Sequence, residues 1–102
     1  MSEPWHITQA ACSYYARLRE WSEKSTAIAT RELLALRARA HFVERDLHGR
    51  ELWRSPRSDG GLRWVVDPRG TRTDKRARVI WVGRSRPPAR LWTRASPESA
   101  NR

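Results

Sequence analysis

Cysteine is almost absent from this sequence. Cys12 stands alone, so no disulfide can close within the chain, and no Cys/His cluster has the spacing of a structural zinc site. Apolar runs are short, and none approaches the ~18 residues that a membrane span requires. Residues 1–5 carry neither the basic stretch nor the apolar run of a secretory leader, so the expectation is a cytoplasmic protein with no membrane contact. Apolar residues are scarce as well, at 38% of 102. Six tryptophans offset that shortage, because each large aromatic removes ~150–250 Å² from water, and a chain of this length can then build one core. Also missing are a P-loop, a dinucleotide-binding glycine pattern, a His-Glu-x-x-His pair and a serine elbow. Nucleotide hydrolysis and metalloprotease chemistry are thereby set aside, and nothing in the sequence calls for a metal or a cofactor.

Negative charge is thin in the second half. The net charge is +10; residues 1–60 hold ten Lys/Arg against eight Asp/Glu, whereas residues 61–102 hold eleven against three. Such a field concentrates polyanions, and it attracts an acidic protein surface by the same physics. Nineteen of the 21 cations are arginine, whose planar fork grips phosphate in bidentate fashion and stacks on bases. The expected partner is therefore nucleic acid, RNA ahead of DNA, with an acidic protein partner such as an antitoxin or a host enzyme as the other possibility.

Hydrophobic periodicity divides the chain into a helical first part and a strand-rich second part, the signature of an α+β fold. Thr8 reads as an N-cap, followed by Ala11, Tyr15, Leu18 and Trp21 at helical spacing, which predicts a helix over 9–22. Ser25 or Thr26 caps a second predicted helix, 27–40, with Ala29, Leu33, Leu36 and Ala40 on its apolar side. From His41 the period changes to two: strands are predicted at 41–46 and 51–55 around a turn at 47–50, and again at 62–67 and 78–83. The last is apolar on both faces and is expected at the centre of the sheet. Pro87-Pro88 ends the pattern, Leu91-Trp92 is expected to dock as a short edge strand, and 95–102 reads as a flexible tail on a domain spanning 1–94. The expected architecture is two N-terminal helices packed on one face of a three- to four-stranded antiparallel sheet.

Ile7-Thr8 opening the first helix, then Tyr15 and Arg17 to Arg19, a Leu-rich second helix, a hairpin and two further strands resemble, over residues 6–86, the small RelE-like and BrnT-like toxin domains. In one branch the opening runs Ile-Thr-x-His-Ala-x-x-Arg-Tyr; Ala11 and Tyr15 match it, while Ala10 and Tyr14 stand where that pattern has His and Arg. The resemblance implies helices on an antiparallel sheet and, in many members, metal-independent RNA cleavage restrained by an antitoxin. This chain keeps the positions that serve the scaffold and lacks two that serve chemistry. It thus reads first as a basic nucleic-acid-binding or regulatory protein on a RelE-like scaffold, of the kind a phage or mobile element carries. An endoribonuclease toxin is the second reading, and an inhibitor docking on an acidic host protein the third.

Cleavage of RNA without a metal requires a base for the 2′-OH proton, cations for the phosphorane and an acid for the leaving oxygen. Arg54 and Arg63, on adjoining predicted strands, and Arg57, after Pro56 in a turn, are the expected charge stabilisers, with Tyr14 at the edge of the helical stripe as a hydrogen-bond donor. His41 and His48 read as structural. For binding, residues 69–76 form the densest cationic stretch, and the expected interface is Arg63, Arg69, Arg72, Lys75, Arg76 and Arg78.

Overall fold

The computed structural model describes residues 4–22 and 25–95. Five strands and two helices follow in the order β1 (Trp5–Ile7), α1 (Gln9–Leu18), α2 (Thr26–Arg37), β2 (His41–Arg45), β3 (Glu51–Arg54), β4 (Arg63–Asp67) and β5 (Ala77–Gly83), with a short 3-10 turn at Arg57–Asp59. The sheet order is β1-β5-β4-β3-β2. β1 lies parallel to β5, and every other pair is antiparallel. The α+β class and the two helices agree with the sequence, but the sheet has five strands and is mixed. The extra strand is only three residues long, too short for a period of two to announce it.

Thr8 joins the two layers. Its Oγ1 accepts from Ala11 N (3.2 Å) as the N-cap of α1, and its hydroxyl donates to Val79 O (2.6 Å) on β5. Ser25 caps α2 through Ile28 N (3.2 Å). Both helices stop earlier than their apolar stripes suggest. After α1 the backbone turns left-handed at Glu20 (φ 56°), so Trp21 packs on the core from outside the helix. Leu36 and Ala40 likewise reach the core, the latter from beyond the end of α2.

Strand alternation gives the sheet two different faces. On the helix side Trp64, Val66, Val79 and Val82 pack with Ala11, Cys12 and Tyr15 of α1 and with Ala29 and Leu33 of α2. Trp64 is fully buried, and its indole N–H donates to Ser55 Oγ at 2.9 Å, which satisfies the one polar atom of a side chain whose burial is worth roughly 2–3 kcal/mol. Trp5 meets the rings of Trp53 (5.0 Å) and Trp64 (5.8 Å), so β1 closes the aromatic core although it is short.

On the opposite face Val65 and Trp81, Cα partners across β4 and β5, pack with Trp92. A bulge leaves Ile80 without a partner on β4, so Ile80 and Trp81 both pack on this face while Val79 and Val82, three residues apart, both reach the helix side. Leu91-Trp92 is not an edge strand. Pro88 O accepts from both Leu91 N (2.9 Å) and Trp92 N (3.1 Å), which curls the segment so that Trp92 drops onto the sheet surface. Residues 96–102, most of the expected tail, lie outside the described residues.

Candidate nucleic-acid interface

The face that carries Trp92 also carries a transverse row of polar side chains. His41 is the Cα partner of Arg54, Arg54 of Arg63, and Arg63 of Gly83, one residue from each of β2 to β5. One pleat further along, Glu44, Leu52, Val65 and Trp81 form a second, mostly apolar row. Gly83 is a spatial requirement of this surface, since a Cβ there would overlap the six-membered ring of Trp81. Above the rows, residues 86–94 run as a strap. Between strap and sheet lies a cavity of about 660 Å³, a size suited to a small ligand or a segment of a larger one. Arg54 and Arg63 reach it from the sheet, Arg86 and Arg94 from the strap; Leu52 and Trp92 line its apolar part, and His41 and Glu44 stand at the β2 side.

The four arginines of this cavity differ from the six cations that carboxylates hold. Arg39 is paired with Asp59 (2.6 Å), Arg45 with Glu51 (3.3 Å), Arg50 with Asp46 (2.8 Å), Arg69 and Arg78 with Asp67 (3.1 Å each) and Arg76 with Asp74 (2.6 Å). The side chains of Arg54, Arg63, Arg86 and Arg94 have no hydrogen-bond or ion-pair partner among the described residues. Glu44 is the one carboxylate among the residues that line the cavity, and it takes no part in an ion pair among the described residues. Two like charges directly opposite each other on neighbouring strands are destabilising, by roughly 0.2–1 kcal/mol. The Arg54/Arg63 pair carries that cost with no carboxylate in ion-pair contact among the described residues.

The loop that the sequence marks as most basic is differently made. Asp67 accepts from Arg69 N (3.0 Å), Arg69 Nε (3.1 Å) and Arg78 Nη2 (3.1 Å). Asp74 accepts from Arg76 N (3.0 Å) and from its guanidinium (2.6 Å), with His6 Nδ1 3.9 Å away. Burial works against ionisation of Asp67, but its bonds from Arg69 and the charge of Arg78 prevail and hold its pKa below the ordinary carboxylate value. The Arg76 side chain and amide hold Asp74 well below that value too. Thr71 N donates to Asp74 O (2.6 Å), and Gly70 lies so close to the backbone of Asp74 and Lys75 that a Cβ has no room. Three of the six cations assigned to the interface, Arg69, Arg76 and Arg78, are thus engaged within the loop.

The side chains of Arg57, Arg72 and Lys75 have no partner among the described residues, yet none of them lines the cavity. Tyr14 does not line it either: its hydroxyl accepts from Arg90 Nη2 (2.6 Å), and its ring lies edge-on to Trp81. Of the residues singled out from sequence, the structure brings Arg54 and Arg63 together. Sequence reasoning passes over Arg86 and Arg94, and it reads His41 as structural. The available signal was Trp92, an isolated large aromatic beyond Pro87-Pro88 that needs burial and so draws its neighbours back to the fold.

Among the described residues no helix is long and apolar enough to cross a membrane. Comparison of the chain with protein families, curated proteins and solved structures finds no match.

Proposed function

We propose that this chain binds single-stranded RNA across the sheet face opposite the helices, with Arg54, Arg63, Arg86 and Arg94 holding phosphates. The observation that carries this reading is the directly opposed, unneutralised Arg54/Arg63 pair at the floor of a cavity whose strap adds two more unpaired arginines. Cations without carboxylates that converge on one cavity are available to an external anion. The apolar lining beside them favours an unpaired strand, whose base faces can pack on an apolar surface, whereas a duplex keeps those faces stacked and presents phosphates and groove edges. The RelE-like scaffold is proposed from the sequence resemblance over residues 6–86.

Salt titration of a mobility shift on short labelled RNA is the test. Affinity should fall steeply with salt, and the slope should become shallower by about one ion for each cavity arginine removed. Affinity that does not respond to salt, or that survives loss of both Arg54 and Arg63, rejects the reading.

One observation favours a second reading, cleavage: His41 and Glu44 share the cavity with Arg54 and Arg63. In that chemistry the Glu44 carboxylate takes the 2′-OH proton, the 2′-oxygen attacks phosphorus, the arginines hold the phosphorane, and protonated His41 gives its proton to the departing 5′-oxygen. The products are a 2′,3′-cyclic phosphate and a free 5′-hydroxyl. Incubation with end-labelled RNA in EDTA decides between the two, since Glu44→Gln should abolish cleavage while leaving retention in place.

A further inference from the structure

Three attachments hold the strap against the sheet. Arg90 donates to Tyr14 Oη, Trp92 packs with Val65 and Trp81, and Thr93 meets the β2–β3 turn. At the third, Leu47 N donates to Thr93 O (2.8 Å) and Thr93 N donates to Asp46 Oδ2 (3.1 Å). The last bond ends on a carboxylate with 0% side-chain exposure, and the next residue along the strap is Arg94.

The two oxygens of Asp46 have separate tasks. Oδ1 accepts from His48 N (2.9 Å) and Arg50 N (2.8 Å), the pattern by which an Asp or Asn side chain shapes its own turn. Oδ2 accepts from Arg50 Nε (2.8 Å) and Thr93 N. The turn, completed by Gly49 at φ 81°, needs only the first oxygen, and Asn would serve it. A second acceptor is required only by the Arg50 guanidinium and the strap. Burial alone would push this carboxyl up, but the bonds from Thr93, Arg50 and His48 outweigh it and keep the pKa below the ordinary value.

We infer that Asp46 is a positioning residue for the RNA cavity: its Oδ2 fastens Thr93, and so fixes the strap that carries Arg86 and Arg94 to the cavity floored by Arg54 and Arg63. The inference rests on the RNA-binding reading of that cavity.

Asp46→Asn is the informative variant. It retains an oxygen for His48 N and Arg50 N but places an amide NH₂ against the donors of Thr93 and Arg50, so turn and strap are separated. With the full chain, amide exchange at Thr93 and affinity for a short mixed-sequence single-stranded RNA are measured together. Exchange at Thr93 should accelerate, affinity should fall by about fivefold, and the salt slope should drop by about one ion. Because Asp46 acts through the strap, Asp46→Asn combined with Arg94→Ala should weaken binding no more than the stronger single change, the non-additivity expected of coupled residues. Thr93→Pro, which removes the amide donor along with the Thr side chain and so leaves no Thr93 amide to exchange, should reproduce the losses of affinity and salt slope if Asp46→Asn proves too unstable to study.

Unchanged exchange at Thr93 in Asp46→Asn overturns the inference. Faster exchange with unchanged affinity also overturns it, provided Arg54→Ala still weakens binding, and the RNA-binding reading then stands. If Arg54→Ala and Arg63→Ala bind as tightly as the parent chain, the reading itself fails, and the inference falls with it.

Discussion

The loop that joins β4 to β5 and the cavity on the sheet face are both arginine-rich, and they differ in where their carboxylates lie. In the loop, Asp67 and Asp74 sit within two residues of Arg69 and Arg76, and the chain folds so that each acid takes its neighbour's guanidinium. In the cavity, four arginines from β3, β4 and the strap converge with a single carboxylate, Glu44, that takes part in no ion pair among the described residues. A basic segment is therefore not the same as an available cation. What a partner meets is the charge left after internal pairing, and short-range pairing removes it most readily where acids and bases alternate along the chain.

The largest expected effect lies in the cavity. Arg54→Ala together with Arg63→Ala should weaken RNA binding by about 100-fold in a mobility shift, as loss of two charge-assisted contacts implies. Thermal stability should hold or rise slightly, because the like-charge contact across β3 and β4 is relieved. A marked loss of stability would instead make these arginines structural.

Next is the loop's own carboxylate. Asp67→Asn removes the charge that Arg69 and Arg78 share and should cost about 2 kcal/mol in denaturant unfolding at neutral pH. The folded-state pKa of Asp67 is lowered, so its contribution is complete above the unfolded value of about 3.9 and is lost as pH falls through the lower folded value. The gap between parent and variant should accordingly stay constant at neutral pH and narrow in strong acid. A gap that widened on acidification would contradict the ion-pair account.

Gly83→Ala tests the floor of the cavity. The new methyl group collides with the Trp81 ring and should destabilise by about 1–2 kcal/mol. Displacement of Trp81 also disturbs its contacts with Val65 and Trp92, which a change in near-ultraviolet circular dichroism would report.

The smallest effect sharpens the comparison most. Arg69→Ala should change RNA affinity by less than about twofold, since that guanidinium is already held by Asp67 and lies outside the cavity. A loss as large as that of Arg63→Ala would restore the loop as the binding element.

Much of the fold was legible because period and capping act locally. Thr8 caps α1 as the sequence suggests, Ser25 is the one of the two candidates that caps α2, and the change of period at His41 marks the start of β2. β1 was not legible, for its three residues become a strand only by pairing with Ala77, Arg78 and Val79, more than seventy positions away. The helix ends were overread because Trp21 and Ala40 continue the apolar stripe yet reach the core from beyond Leu18 and Arg37. Half of the cavity was legible: Arg54 and Arg63 share a strand phase, but Arg86 and Arg94 fit no period.

The α+β class, the caps, most strand positions and the excess of arginine can be read along the chain, because each follows from neighbours within a few residues. Which arginines remain free was decided only by tertiary structure. Ion pairing depends on distances between side chains that the backbone brings together, and the strap's place depends on Trp92 finding Val65 and Trp81 and on Thr93 finding Asp46, 47 positions earlier in the chain.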